Sequence, residues 1–210
     1  MSDIHLDAVT AGRARRREVV EYLADAAAAV KSRQIDLVLF GGDAFDPGSL
    51  QESLYAAELL RAFVAFARAG ADVVAIAGNH DVVDTSELVD DAPVTTLTSL
   101  RMAFTELAGG LARSVWICER PQLVPVTDEW SVLALPYLAR AHAERAEPWM
   151  SAAFADATTL RKRGDRIVVL AHLVVPGAAL GSESSEMARG QDQLFPFERV
   201  KALAPSLVIN

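Results

Sequence analysis

The sequence predicts an α/β domain in which parallel strands are joined by crossover helices, and two observations carry that prediction. Short apolar runs at 35–40 and 72–77 close on glycine, at Gly41-Gly42 and at Gly78, as strands buried on both faces do. Before and between them lie segments with apolar residues at three- and four-residue spacing, the pattern of amphipathic helices. Strand, glycine turn, helix and strand in succession is the order of a parallel sheet, and ligands of such sheets gather at the strand C-termini.

The first helix is expected over 12–34, with Val19, Leu23, Ala26, Ala27 and Val30 on one side. The second, 49–69, aligns Leu54, Ala57, Leu60, Phe63 and Val64 and stops at Gly70. A third helix is expected over 98–107, then short strands at 114–118 and 131–135, and a long helix over 140–163 that Pro148 interrupts. A buried strand follows at 166–173, then a loop rich in Gly, Ser and Glu over 175–191, a short helix at 198–203 and a last strand at 206–210. No internal repeat and no linker divides the chain, so one domain over 1–210 is expected.

Composition narrows the function classes. At 51% hydrophobic and 23% charged, 210 residues form a domain with a sizeable core, which excludes disorder and low-complexity architectures. No apolar stretch approaches the ~20 residues of a membrane span. Cys118, the one cysteine, cannot form an internal disulfide, and no charged-then-apolar leader opens the chain, so a cytoplasmic location is expected. A net charge of −8 repels polyanions, so any nucleic-acid contact has to be local or metal-mediated.

Polar, metal-capable residues stand where the strands end: Asp3 and His5 at the chain start, Asp43 after the run at 35–40, Asn79 and His80 after the run at 72–77, and His172 after the run that begins at Arg166. Three of the four histidines fall at these ends. Clustered His, Asp and Asn suit divalent ions of intermediate hardness. Two such ions about 3.5–4 Å apart supply a nucleophile at neutral pH and neutralise charge on phosphoryl oxygens. A carboxylate on a tight Gly-Gly-Asp turn can reach both, and Gly41, Gly42 and Gly78 let the backbone approach closely.

The strings Asp3-Ile4-His5, Gly42-Asp43-Ala44-Phe45-Asp46, Gly78-Asn79-His80-Asp81 and Ala171-His172 together resemble the calcineurin-like metallophosphoesterase family, whose pattern runs D-x-H, G-D-x-x-D, G-N-H-D/E, a lone H and then G-H-x-H. Four blocks match in order, at separations of 40, 36 and 93 residues that each leave room for a crossover helix. The resemblance implies a four-layer β-sandwich, two mixed sheets flanked by helices. It also implies that Asp3 and His5 bind a first metal, that Asp43 bridges, and that Asn79 and His172 bind a second. His80 becomes the proton donor or charge stabiliser at the leaving group, Asp81 the residue that fixes its tautomer, and Asp46 an outer supporting carboxylate. Two divalent ions are implied, Mn²⁺ foremost, with iron or zinc as alternatives.

Gly42 to Asp46 and the stretch from Ala171 to Ala178, with Ser182 to Glu186 beyond, resemble the SbcD-like DNA repair exonuclease branch. That branch implies DNA as the phosphoester substrate and an ATPase partner subunit. Two further readings stand beside it: a small-molecule phosphodiesterase or phosphatase, for instance on cyclic nucleotides, which the acidic surface suits, and a non-catalytic scaffold of the same fold. G-H-x-H is absent, and D-x-H begins two residues after Met1, so the expectation is a domain without its first strand and its C-terminal G-H-x-H segment. Each ion then keeps about three protein ligands, and losing a ligand costs more than the ~10–100-fold of losing an outer partner, so weak metal binding is expected.

Other conspicuous residues have plainer readings. The acidic stretch from Asp81 through Glu87, Asp90 and Asp91 lacks calcium-loop spacing and reads as a solvated loop. Arg13, Arg15, Arg16 and Arg17 read as a solvated face, His142 as a surface residue of its helix and Cys118 as core. Trp116, Trp130 and Trp149 show no spacing that suggests a stacking platform.

Overall fold

The computed structural model describes residues 1–6, 9–10, 13–45, 52–83, 85–107, 110–175 and 194–210. In chain order a short hairpin, β1 (Val9–Thr10) and β2 (Arg13–Ala14), precedes α1 (Arg16–Arg33), β3 (Leu37–Phe40), α2 (Glu52–Ala69) and β4 (Asp72–Ile76). A second hairpin, β5 (Leu88–Val89) and β6 (Ala92–Pro93), leads to α3 (Thr98–Leu107), β7 (Val115–Cys118), β8 (Gln122–Pro125) and β9 (Trp130–Leu135). A 3₁₀ turn over Arg140–His142 opens α4 (Ala143–Arg163), followed by β10 (Arg166–Ala171), α5 (Phe197–Leu203) and β11 (Leu207–Ile209).

Two sheets result. One is purely parallel in the order β3-β4-β7; the other runs β11-β10-β9-β8, with only β8 antiparallel to its neighbour. Period-two alternation along the strands assigns each side chain to a layer. Val38, Phe40, Val73, Ala75 and Ile117 pack outward against Leu23 of α1, Phe63 and Phe66 of α2 and Phe104 of α3. Val74, Ile76 and Cys118 point the other way and meet Val132, Ala134, Val168 and Leu170 between the sheets. Leu133, Leu135, Ile167 and Val169 then face Phe154 and Ala157 of α4 and Val200 of α5. The layers are thus helix, sheet, sheet, helix, the expected two-sheet architecture.

Residues 1–6 lie alongside 39–44. The Met1 ammonium donates to the Leu39 carbonyl at 2.8 Å. Gly41 N–H returns a bond to the Met1 carbonyl at 2.8 Å, and Asp3, His5 and Leu6 donate to the carbonyls of Gly42, Asp43 and Ala44. This pairing delivers Asp3 and His5 to the rim where the strands of both sheets end.

Several expectations shift. Pro148 does not interrupt α4: it sits in the second turn, where its missing N–H removes a single bond near the helix start. β8 went unforeseen because Gln122–Pro125 is four residues ending in proline; its register with β9 is set by a turn in which the N–H groups of Val126 and Thr127 donate to the Trp130 carbonyl at 3.0 Å. His142, expected on the surface, is buried with its ring centroid 6.3 Å from that of Trp149, because the 3₁₀ turn rotates it off the exposed face of α4. Asp81 is also buried, while Asp90 and Asp91 pair with Arg101, Arg120 and Arg145. Cys118 is core, as expected, and burial pushes its thiol up to about 12. The predicted loop at 176–191 and the start of the second helix, 49–51, lie outside the described residues. No described helix is long and apolar enough to cross a membrane.

Candidate metal centre

The rim is built from backbone that few residues tolerate. Asp3, His5 and Asp43 have φ of 53°, 39° and 54°, and left-handed backbone at non-glycine residues costs about 1–3 kcal/mol each unless the surroundings impose it. Here the surroundings do. The loop after β3 and the loop after β4 interlock so closely that a Cβ on Gly42 would stand 2.6 Å from Gly78 N and 3.0 Å from His172 Nδ1. A Cβ on Gly78 would stand 2.6 Å from Asp43 N. Both positions therefore require glycine.

Polar atoms converge within this frame. His172 Nδ1 lies 2.7 Å from the Gly41 carbonyl, which only accepts, so Nδ1 carries the proton and donates. In the neutral ring Nε2 then keeps the lone pair, and it faces Asn79 Oδ1 at 2.9 Å and Asp43 Oδ2 at 3.5 Å. Asp3, Asp43 and His172 each present one ligating atom within 4.8 Å of the others. Asp43, 2% exposed, is fixed from behind by the His80 backbone N–H, which donates to Oδ1 at 3.0 Å. Lone pairs of two carboxylates, an imidazole and an amide facing one another are unfavourable unless a cation lies among them. Such nitrogen and oxygen donors suit Mn²⁺, iron or zinc, so the residues present fit the expected metal. The His5 and His80 rings stand edge to face beside this group, with centroids 4.9 Å apart and planes at 83°.

The structure thus brings Asp3, Asp43, Asn79 and His172 together and sets His5 and His80 next to them. Asp81 accepts from three donors. Its Oδ1 accepts the Ala44 N–H at 3.0 Å and the Thr96 hydroxyl at 3.2 Å, and Oδ2 accepts the Gly78 N–H at 2.9 Å. The hydrogen bonds described for the carboxylate thus run to the two loop backbones and to Thr96. Burial pushes its pKa up to about 6; the Gly78 N–H opposes that shift and the Asp43 charge adds to it. Asp46 lies outside the described residues.

Sequence reasoning missed Tyr137, which shares a cavity of about 350 Å³ with Asp3, Asn79, His172 and Leu170 at the open side of the rim. The Tyr137 N–H donates to the Ala77 carbonyl at 3.0 Å, tying the end of β9 to the end of β4. The signal available was its place just after a buried strand, the same signal that found His172.

Two parallel-rich sheets between helix layers, with Asp, Asn and His converging at one rim, define an α/β domain with a candidate metal-binding rim. The chain belongs to the calcineurin-like phosphoesterase family, whose sequence profile matches residues 1–207. The SbcD subunit of nuclease SbcCD from Bacillus subtilis (strain 168) is 40% identical over 86 residues. The match covers 40% of this chain and 21% of that protein, about a fifth of its length.

Proposed function

We propose that the protein is a metal-dependent phosphoester hydrolase in which Asp3, His5, Asp43, Asn79 and His172 hold two divalent cations, Mn²⁺ foremost. The observation that carries this reading is the His172 imidazole, committed through Nδ1 to the Gly41 carbonyl so that Nε2 faces Asn79 and Asp43. When bound, such ions supply a nucleophile at neutral pH and offset the charge on the phosphoryl oxygens. The chain's own residues do the rest. Asp43, whose ligating oxygen lies within 4.8 Å of those of Asp3 and His172, would be the carboxylate the two ions share. The Gly41 carbonyl fixes the His172 tautomer and ring direction. His80, fastened to Asp43 through its backbone, holds a proton for the leaving oxygen.

Within this reading the substrate is a phosphodiester, and an SbcD-like exonuclease acting on DNA with an ATPase partner is supported by the partial match to a nuclease subunit. A small phosphodiester or phosphomonoester is the second reading, favoured by the net charge of −8, which disfavours broad phosphate contact. A cytoplasmic location accompanies both. The test is hydrolysis of bis-p-nitrophenyl phosphate with Mn²⁺ and with EDTA. Mn²⁺-dependent turnover is expected, and a chain that neither binds Mn²⁺ in a calorimetric titration nor turns over would reduce the fold to a scaffold. Degradation of linear duplex DNA by the same preparation then separates nuclease from small-molecule esterase.

A further inference from the structure

We propose that Thr96 is a positioning residue for the metal centre, acting through Asp81, and that Glu119 anchors the turn that carries it; this inference rests on the metal reading above. The ligands Asp43 and Asn79 sit on loops that leave different strands, and ligand atoms have to be held within about 0.5 Å to be productive. Strand pairing ends before those loops begin. Beside the His80 N–H bond to Asp43 Oδ1, they are spanned by the Asp81 carboxylate, which accepts from Ala44 N–H, next to Asp43, and from Gly78 N–H, next to Asn79.

Asp81 must itself be held, and Thr96 grips it at two points. Its N–H donates to the Asp81 carbonyl at 2.9 Å and its hydroxyl donates to Oδ1 at 3.2 Å, fixing backbone and carboxylate together. Thr96 belongs to a turn, 95–98, that is tied to a buried carboxylate at the end of β7. The Thr95 and Thr98 hydroxyls both donate to Glu119 Oε1 at 2.5 Å, and Arg101 Nε donates to Oε2 at 2.5 Å. Each hydroxyl also accepts once, Thr98 from the Thr95 N–H at 2.8 Å and Thr95 from the Leu97 N–H at 3.0 Å. Glu119 is 1% exposed, so releasing any of these partners leaves a buried charge short of a donor, and the turn has one low-energy arrangement. Stiffness at Glu119 thereby reaches the two ligand loops through Thr96 and Asp81, although neither Thr96 nor Glu119 belongs to the ligand set.

Calorimetric titration with MnCl₂ of the wild-type chain, Thr96→Val, Thr96→Ala and Thr96→Ser, with thermal unfolding of each in EDTA, tests this. Both hydroxyl-free variants are expected to bind Mn²⁺ about 10-fold more weakly, the scale of losing an outer partner. Thr96→Ser, which keeps the hydroxyl, is expected to restore the affinity. Thr96→Ala adds no bulk and stands in should Thr96→Val fail to fold. Unchanged affinity in the hydroxyl-free variants, even with a lower midpoint in EDTA, would make Thr96 merely structural and overturn the proposal. Failure of Thr96→Ser to rescue would overturn it too. A wild-type chain that binds no Mn²⁺ overturns the proposed function as well as this inference, whereas binding that ignores Thr96 overturns this inference alone.

Discussion

Asp43 and Asp81 are buried carboxylates on neighbouring loops of one rim, 2% and 0% exposed, and they differ in what their oxygens face. Every contact described for the Asp81 carboxylate is with a donor: two backbone N–H groups and a threonine hydroxyl. Asp43 spends Oδ1 on the His80 N–H and turns Oδ2 toward the imidazole lone pair of His172. Burial alone therefore does not separate a ligand from a brace. A carboxylate saturated by donors is part of the framework, whereas one turned toward other acceptors is waiting for positive charge.

That contrast is sharpest under substitution. Asp43→Asn keeps an oxygen for the His80 N–H but removes the charge that two cations would share. The expected outcome is loss of measurable Mn²⁺ binding and of hydrolysis, beyond the ~10–100-fold that outer partners cost. Its unfolding free energy in EDTA should stay close to wild type. Calorimetry beside chemical denaturation checks both halves, and retained turnover would contradict the bridging role. Asp81→Ala should do the converse first: the Ala44 and Gly78 N–H groups lose a buried acceptor at roughly 1–3 kcal/mol each, so destabilisation of about 2–6 kcal/mol without metal is expected. An Asp81→Ala protein as stable as wild type in EDTA would erase the distinction between the two carboxylates.

How legible this was in the sequence depended on whether the signal was local. The five consecutive buried residues of β4 and the bounds of α3 were readable because an apolar run before glycine and a helical period are local patterns. The convergence of Asp3, Asp43, Asn79 and His172 was readable because these residues stand where the apolar runs end. What could not be read was direction. Nothing in Gly-Asn-His-Asp says that the last carboxylate accepts from Ala44 and Thr96, since those partners come from other loops. The Glu119 anchor was invisible for the same cause: a glutamate after a four-residue strand looks solvated until two threonines from a distant turn close over it. His142 was misplaced because helical periodicity was extended back into a 3₁₀ turn, where side chains follow a different angle.

The smallest expected effect lies away from the rim and concerns a third buried titratable group, His142. Burial, reinforced by the Arg145 charge and opposed by a hydrogen bond to the Thr85 backbone, holds its imidazole below the ordinary value of 6.5. The native state thus keeps the ring neutral while the unfolded chain takes up a proton as the pH falls through that value. Stability is fully present above the unfolded pKa and declines as the pH drops toward the lower native pKa. Glu58, held low first by its hydrogen bond to Arg16, contributes in the same direction but only below the ordinary carboxylate value of 4.5, so the two windows separate. The stability difference between the wild type and His142→Phe, which keeps the packing against Trp149, should change between about pH 7.5 and 5; buried Asp81, raised to about 6, contributes with the opposite sign in that window but equally in both proteins, so it cancels from the comparison. Parallel slopes in the two proteins would mean that the ring gains its proton without opening the turn. In that case burial at His142, unlike burial at Asp81, would carry no electrostatic consequence.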